Sequence, residues 1–177
     1  MHDAQWMLYG ATGYTGQLVA ERAVELGHRP ELAGRNPDKV RALARKLGLK
    51  GIAFDLDDVQ TIAEHIAGMD LVYHAAGPFV HTSDNMIRAC LATHTHYLDI
   101  SGELTVLANT FTYDEPARKV GVALISGAGF DVVPTDCLGA YVASQVRAPI
   151  ELEVAISSFG GVSAGTAKSA LDMISQG

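Results

Sequence analysis

Three glycines spaced three apart, Gly10, Gly13 and Gly16, separate an apolar run from an amphipathic one, and this restricts the fold more than any other feature of the chain. The apolar run Trp6-Met7-Leu8-Tyr9 reads as a buried strand. Gly13 to Leu26 reads as a helix, with Leu18, Val19, Arg22, Ala23 and Leu26 at helical spacing and Gly27 as its stop. In a strand–turn–helix unit of this kind, the first glycine permits the tight turn. The second lets backbone approach an anion, and the third lets the helix pack close to the strand.

Beyond this unit, short apolar runs alternate with amphipathic ones. Strands are expected at Glu31 to Ala33, Gly51 to Phe54, Leu71 to His74, Tyr97 to Ile100 and Val122 to Ser126. Helices are expected at Pro37 to Leu47, Asp58 to Ile66, Ser83 to Thr93 and around Thr112 to Lys119. Val40, Leu43, Ala44 and Leu47 share one face of the second helix, and Asp57 or Asp58 caps the third. This alternation predicts an α/β fold, a Rossmann-type doubly wound parallel sheet. The pattern changes near residue 130. A helix from Val132 to Val146, a half-exposed strand from Glu151 to Ser158, a loop from Gly160 to Gly165 and a helix from Thr166 to Ser175 suggest the beginning of a second α+β domain. We therefore divide the chain into a Rossmann-type unit, residues 1–130, and a connecting helix with the start of a second domain, residues 131–177. We expect the 177 residues to be a piece of a longer protein.

Gly10-Ala11-Thr12-Gly13-Tyr14-Thr15-Gly16 is the G-x-x-G-x-x-G variant of the dinucleotide fingerprint. Backbone N–H groups at the helix start would hold a pyrophosphate, and Thr12 and Thr15 could add hydroxyl donors. The end of the second strand selects the cofactor. A site for NAD(H) places Asp or Glu there, about 20 residues beyond the glycines, to bond the ribose 2′-hydroxyl. This chain has Gly34-Arg35-Asn36 instead. A guanidinium can grip a 2′-phosphate, with Asn36 and Lys39 assisting, so NADP(H) is expected over NAD(H). Asp55 at the next strand end is a candidate acceptor for the adenine amino group. The small residues Ala75, Ala76 and Gly77 before Pro78 let the fourth strand run close under the cofactor.

Charge and composition exclude other classes. The net charge is −7 with no basic run, which argues against a nucleic-acid partner. No apolar stretch is long enough to span a membrane, and no signal peptide opens the chain, so a cytoplasmic location is expected. Cys90 and Cys137, the only two cysteines, both fall in apolar helix-like stretches and read as buried free thiols. His94 and His96 lack a third ligand in spacing, so no metal is expected. None of the six tyrosines has a lysine four residues on, which counts against the short-chain dehydrogenases and an epimerase of that class. His74, His81, Asp99, Glu103, Asp131 and Asp136 lie near expected strand ends, where each could face a substrate but caps, turns and surface positions explain them better than catalysis does. No catalytic residue is assigned.

Several segments together resemble one family. Tyr9 to Gly16, Leu32-Ala33-Gly34-Arg35-Asn36, Ala76-Gly77-Pro78-Phe79, Tyr97 to Glu103 and Gly129 to Asp136, with Ser163-Ala164-Gly165-Thr166 and Ser169, resemble the saccharopine dehydrogenase-like oxidoreductases, which include trans-acting enoyl reductases. The resemblance implies an NAD(P)-dependent reductase acting on a small-molecule substrate. It also implies longer proteins, with a second domain through which a homodimer forms. Hydride transfer to a carbonyl, imine or activated alkene is the expected activity, and a non-catalytic NADP(H)-binding sensor or scaffold is the alternative.

Overall fold

The computed structural model describes residues 4–155. Six strands form one parallel sheet in the order β3-β2-β1-β4-β5-β6: β1 Trp6–Tyr9, β2 Glu31–Gly34, β3 Gly51–Ala53, β4 Leu71–His74, β5 His96–Asp99 and β6 Leu124–Ile125. The helices are α1 Tyr14–Glu25, α2 Pro37–Leu47, α3 Val59–Ile66, α4 Ser83–Thr93, α5 Leu104–Thr112, α6 Asp114–Val120 and α7 Val133–Ser144. A short 3-10 turn, Phe79–His81, precedes α4.

Strands buried on both sides explain the continuous apolar runs. Leu8 and Leu32 join Ala20 of α1 and Leu43 and Ala44 of α2 in one core layer. On the opposite face, Met7, Tyr9, Val72 and Tyr97 pack with Ile62 and Ile66 of α3 and Met86, Ile87 and Cys90 of α4. The chain changes faces between α2 and α3, so the strand order reverses at the β1/β4 pair. In sheets of this order ligands bind at that switch point, outside the carboxyl ends of the strands.

Local signals set the best-defined helices. Asn36 caps α2 by accepting from the Asp38 and Lys39 N–H groups at 3.1 and 3.0 Å, Pro37 opens it, and Gly48 ends it in the left-handed region. Asp58 caps α3 through the Thr61 N–H at 2.7 Å.

Four expectations need correction. The buried face of α1 is Gly16, Ala20 and Ala23, whereas Leu18 and Leu26 are 50% and 59% exposed. Close packing onto the sheet favours small residues at that contact. Residues 104–112 form a helix not expected from the sequence, because its large apolar residues Leu104 and Phe111 point outward and obscure the periodicity. Cys90 is buried, but Cys137 is exposed, since α7 is apolar around its circumference and buries only Gly139. Residues 151–155 of the expected Glu151 to Ser158 strand form no strand and are exposed. The rest of that strand, the Gly160 to Gly165 loop and the Thr166 to Ser175 helix lie outside the described residues.

Candidate dinucleotide site

Two of the three glycines are required by contact. Gly10 has φ +83°, and a Cβ there would lie 2.7 Å from the Ala75 carbonyl carbon and 2.8 Å from the Ala76 nitrogen. A Cβ on Gly16 would collide with the Gly10 carbonyl oxygen and lie 2.8 Å from the Ala11 Cα. Gly13 is less constrained, at 3.3 Å from the same oxygen. The turn is held to β2 by the Gly10 and Ala11 N–H groups, both donating to the Ala33 carbonyl at 2.9 and 3.1 Å.

The first turn of α1 has backbone donors without intrahelical partners. Its first intrahelical bond is Gln17 N–H to the Gly13 carbonyl at 3.0 Å, so the N–H groups of Tyr14, Thr15 and Gly16 have no intrahelical acceptor. The helix has no side-chain cap and no acidic residue in that turn. An anion is the group this end is built to accept. Tyr14 is exposed, and Thr12 and Thr15 are half-buried beside it.

Arg35 stands exposed immediately after β2. The Asn36 side-chain oxygen is engaged as the α2 cap, which leaves its amide nitrogen available. Asp55 follows β3 and is exposed. The buried Tyr9 links these positions: its hydroxyl donates to the Phe54 carbonyl at 2.8 Å. Its phenol is pushed up by burial and by the carboxylate of Asp55, and is held back by the Arg35 guanidinium. Arg35 and Asp55 thus both lie near the Tyr9 hydroxyl, at the ends of neighbouring strands β2 and β3. In the sequence the one signal for this role of Tyr9 is an aromatic hydroxyl at the last position of a buried strand.

The β4 side is the second wall. Ala76 and Gly77 lead into Pro78 and the 3-10 turn. Thr82 Oγ1 donates to the Ala76 carbonyl at 2.8 Å. His74 Nε2 therefore donates to Thr82 Oγ1, at 3.0 Å. His74 is fully buried among Tyr9, Phe79 and Tyr97 rings, and its Nδ1 has no partner among the described residues. Burial pushes its imidazole down to about 4, with the Asp99 carboxylate opposing the shift. The unfolded chain then binds a proton that the folded one refuses, so stability falls as pH drops from about 6.5 to about 4. We expect the urea unfolding free energy to fall by about 1 kcal/mol per pH unit between pH ~6 and pH ~5. His74→Phe should remove this slope above pH ~5, where carboxylates contribute little; an unchanged slope would contradict the assignment.

The candidate acids near β5 have structural partners. Asp99 Oδ2 accepts from Tyr97 Oη at 2.7 Å and Ser126 Oγ at 2.8 Å, and Oδ1 accepts from the Ser101 and Gly127 N–H groups, each at 2.9 Å. It ties the loops after β5 and β6 together. Asp99→Ala would leave these donors without their acceptor, and a loss of about 2–4 kcal/mol in urea unfolding is expected; less than about 1 kcal/mol would contradict this role. Glu103 accepts from the Phe79 and Val80 N–H groups. His81, Asp131 and Asp136 are exposed. His94 Nδ1 lies 3.2 Å from the Val120 carbonyl, and His96 Nδ1 accepts from the Ala123 N–H. Among the described residues no helix is long and apolar enough to cross a membrane, and no group of three metal-ligating side chains occurs.

Comparison with known proteins gives this crevice a family. Residues 10–112, from the glycine turn to the end of α5, match the family described as NAD(P)H-binding. A Mycobacterium tuberculosis protein provisionally named a trans-acting enoyl reductase is 32% identical over 183 residues, covering 96% of this chain and 44% of the relative. The trans-acting enoyl reductase of Mycobacterium ulcerans is 30% identical over 138 residues, covering 73% of this chain and 33% of that protein. The chain thus spans less than half the length of these curated relatives. Among solved structures, apo saccharopine dehydrogenase (L-Glu forming) from Saccharomyces cerevisiae matches with a TM-score of 0.68 at 20% identity, over 80% of this chain and 31% of that one. The Citrobacter triphenylmethane reductase complexed with NADP(H) matches with a TM-score of 0.55 at 16% identity, over 69% of this chain and 48% of that one. At those identities the likeness is one of fold. On the strength of the match through residues 10–112, the chain belongs to the NAD(P)H-binding oxidoreductase family.

Proposed function

We propose that the chain is the NADP(H)-binding domain of a saccharopine dehydrogenase-like oxidoreductase that reduces an activated alkene, carbonyl or imine. The observation that carries the cofactor choice is Arg35, exposed at the end of β2 where an NAD(H) site needs an acid. The crevice fits a dinucleotide: glycines at the turn where a Cβ would collide, an uncapped helix start for the pyrophosphate, and a carboxylate, Asp55, on the adenine side. Gly10 to Gly16 hold the phosphates in this reading, Arg35 with Asn36 the 2′-phosphate, and Ala76 and Gly77 the approach to the second nucleotide. The bound nicotinamide supplies the hydride.

The substrate preference for an activated alkene is supported by the relatives named enoyl reductases. The division at residue 130 is supported by Leu138, Tyr141 and Val142 of α7, which are exposed after the sheet is complete. The test is NADPH oxidation by the longer protein with α,β-unsaturated thioesters, carbonyls and imines in parallel. Turnover of one class supports the reading. Cofactor binding without turnover of any class would favour a sensor or scaffold instead.

A further inference from the structure

The strand order assigns the two halves of the crevice to two sets of loops. Arg35 and Asp55 mark the β1–β3 side as the adenosine half, which leaves the loops after β4, β5 and β6 to the nicotinamide half. On that second side one buried carboxylate links two loops. Glu103 is 6% exposed, at the end of the loop following β5. Its Oε1 accepts from the Phe79 N–H at 3.0 Å and its Oε2 from the Val80 N–H at 2.8 Å, reaching back to the turn that follows β4. Glu103 is itself fixed: its N–H donates to Ser101 Oγ at 3.0 Å, and the Ser101 N–H donates to Asp99 Oδ1 at 2.9 Å. The turn it grips includes Gly77, where a Cβ would lie 3.3 Å from the Phe79 ring. Holding Phe79 and Val80 therefore fixes the chain that follows Ala75 and Ala76, the backbone that the Gly10 turn approaches.

Resting on the dinucleotide reading above, we propose that Glu103 is a positioning residue for the nicotinamide half of the cofactor. It sets the height of the Gly77–Val80 turn by accepting two of that turn's N–H groups, and it does not touch the adenosine half. Glutamine at this position keeps one acceptor but turns an NH2 toward a backbone N–H, so one of the two bonds is lost and the turn shifts. Aspartate keeps both acceptor oxygens but is one methylene shorter.

The test uses this chain and two probes, NADPH and adenosine 2′,5′-bisphosphate, which carries only the adenosine half. Each is titrated by calorimetry into wild type, Glu103→Gln and Glu103→Asp. Wild type is expected to bind both. Glu103→Gln should weaken NADPH about tenfold and the bisphosphate by less than about twofold, with Glu103→Asp between wild type and Glu103→Gln for NADPH. Unchanged NADPH binding in both variants overturns the proposal alone. Equal losses for both probes also overturn it, since they mark a general structural role. If Glu103→Gln does not fold, Glu103→Asp carries the same comparison and the same outcomes decide it. If wild type binds neither probe, the dinucleotide reading itself fails, and the proposal falls with it.

Discussion

Replacing Arg35 with alanine is expected to weaken NADPH binding by about 10- to 100-fold and NADH binding by about twofold or less. The argument is one of position and freedom. Arg35 directly follows the last residue of β2, the place that in dinucleotide-binding folds reads the ribose 2′ substituent. Arg22, Arg41, Arg88 and Arg118 are paired with acids on their own helices, but Arg35 forms no ion pair among the described residues. Its guanidinium is thus free to take a phosphate bidentately, which a lysine could only approximate. Arg35→Asp should go further and reverse the preference toward NADH, because a carboxylate there accepts from a 2′-hydroxyl and repels a 2′-phosphate. Equal losses for the two cofactors on Arg35→Ala would overturn the 2′-phosphate assignment while leaving the phosphate turn intact.

The glycine turn gives the second large effect. Gly10→Ala combines a left-handed backbone with a Cβ 2.7 Å from the Ala75 carbonyl carbon, and both neighbours there are backbone, which cannot rotate away. A loss of about 2–4 kcal/mol in unfolding free energy is expected, together with loss of measurable NADPH binding. Gly16→Ala has ordinary helical backbone, so its effect comes from collision with the Gly10 carbonyl and the Ala11 Cα without backbone strain. It should separate helix α1 from the turn and weaken NADPH by more than about tenfold, with a smaller stability loss of about 1–3 kcal/mol. Gly27→Ala is the control. It carries φ +85° with nothing within 4 Å of its Cβ, so it should cost about 1–2 kcal/mol by strain and leave cofactor affinity unchanged. Urea unfolding and NADPH titration of the three variants separate strain from collision. If Gly10→Ala behaved like Gly27→Ala, the close approach of the turn to β4 would be contradicted.

The parts of this site that were legible in the sequence are those that local chemistry dictates. Glycine is the residue that fits where backbone meets backbone, so Gly10 and Gly16 announced the turn. Arg35 was legible as a candidate by its distance from them and by the missing acid. Helices with chemical endpoints, such as α2 between Asn36-Pro37 and Gly48, could be bounded almost to the residue. What stayed hidden depends on partners distant in sequence. The inner face of α1 was misread because Leu18 and Leu26 look like core residues until Gly16 draws the helix so close that only Ala20 and Ala23 fit beneath it. Helix α5 was hidden because Phe111, 80% exposed, suggests the wrong face. Asp99 and Glu103 read as acids at strand ends, better explained as caps or turn residues than as catalytic groups. Their hydrogen bonds to Gly127, Phe79 and Val80 join separate loops, and no spacing rule anticipates them. Thr82 gave no signal at all, since its role depends on the carbonyls of Ala76 and Pro78 turning toward it.

The central claim is that this crevice holds a dinucleotide carrying a 2′-phosphate. The most direct measurement is calorimetric titration of this chain with NADPH and with NADH at the same pH and ionic strength. One NADPH per chain, bound at least about tenfold more tightly than NADH, is the predicted result. Equal affinity for the two, tighter NADH, or no heat from either would contradict it.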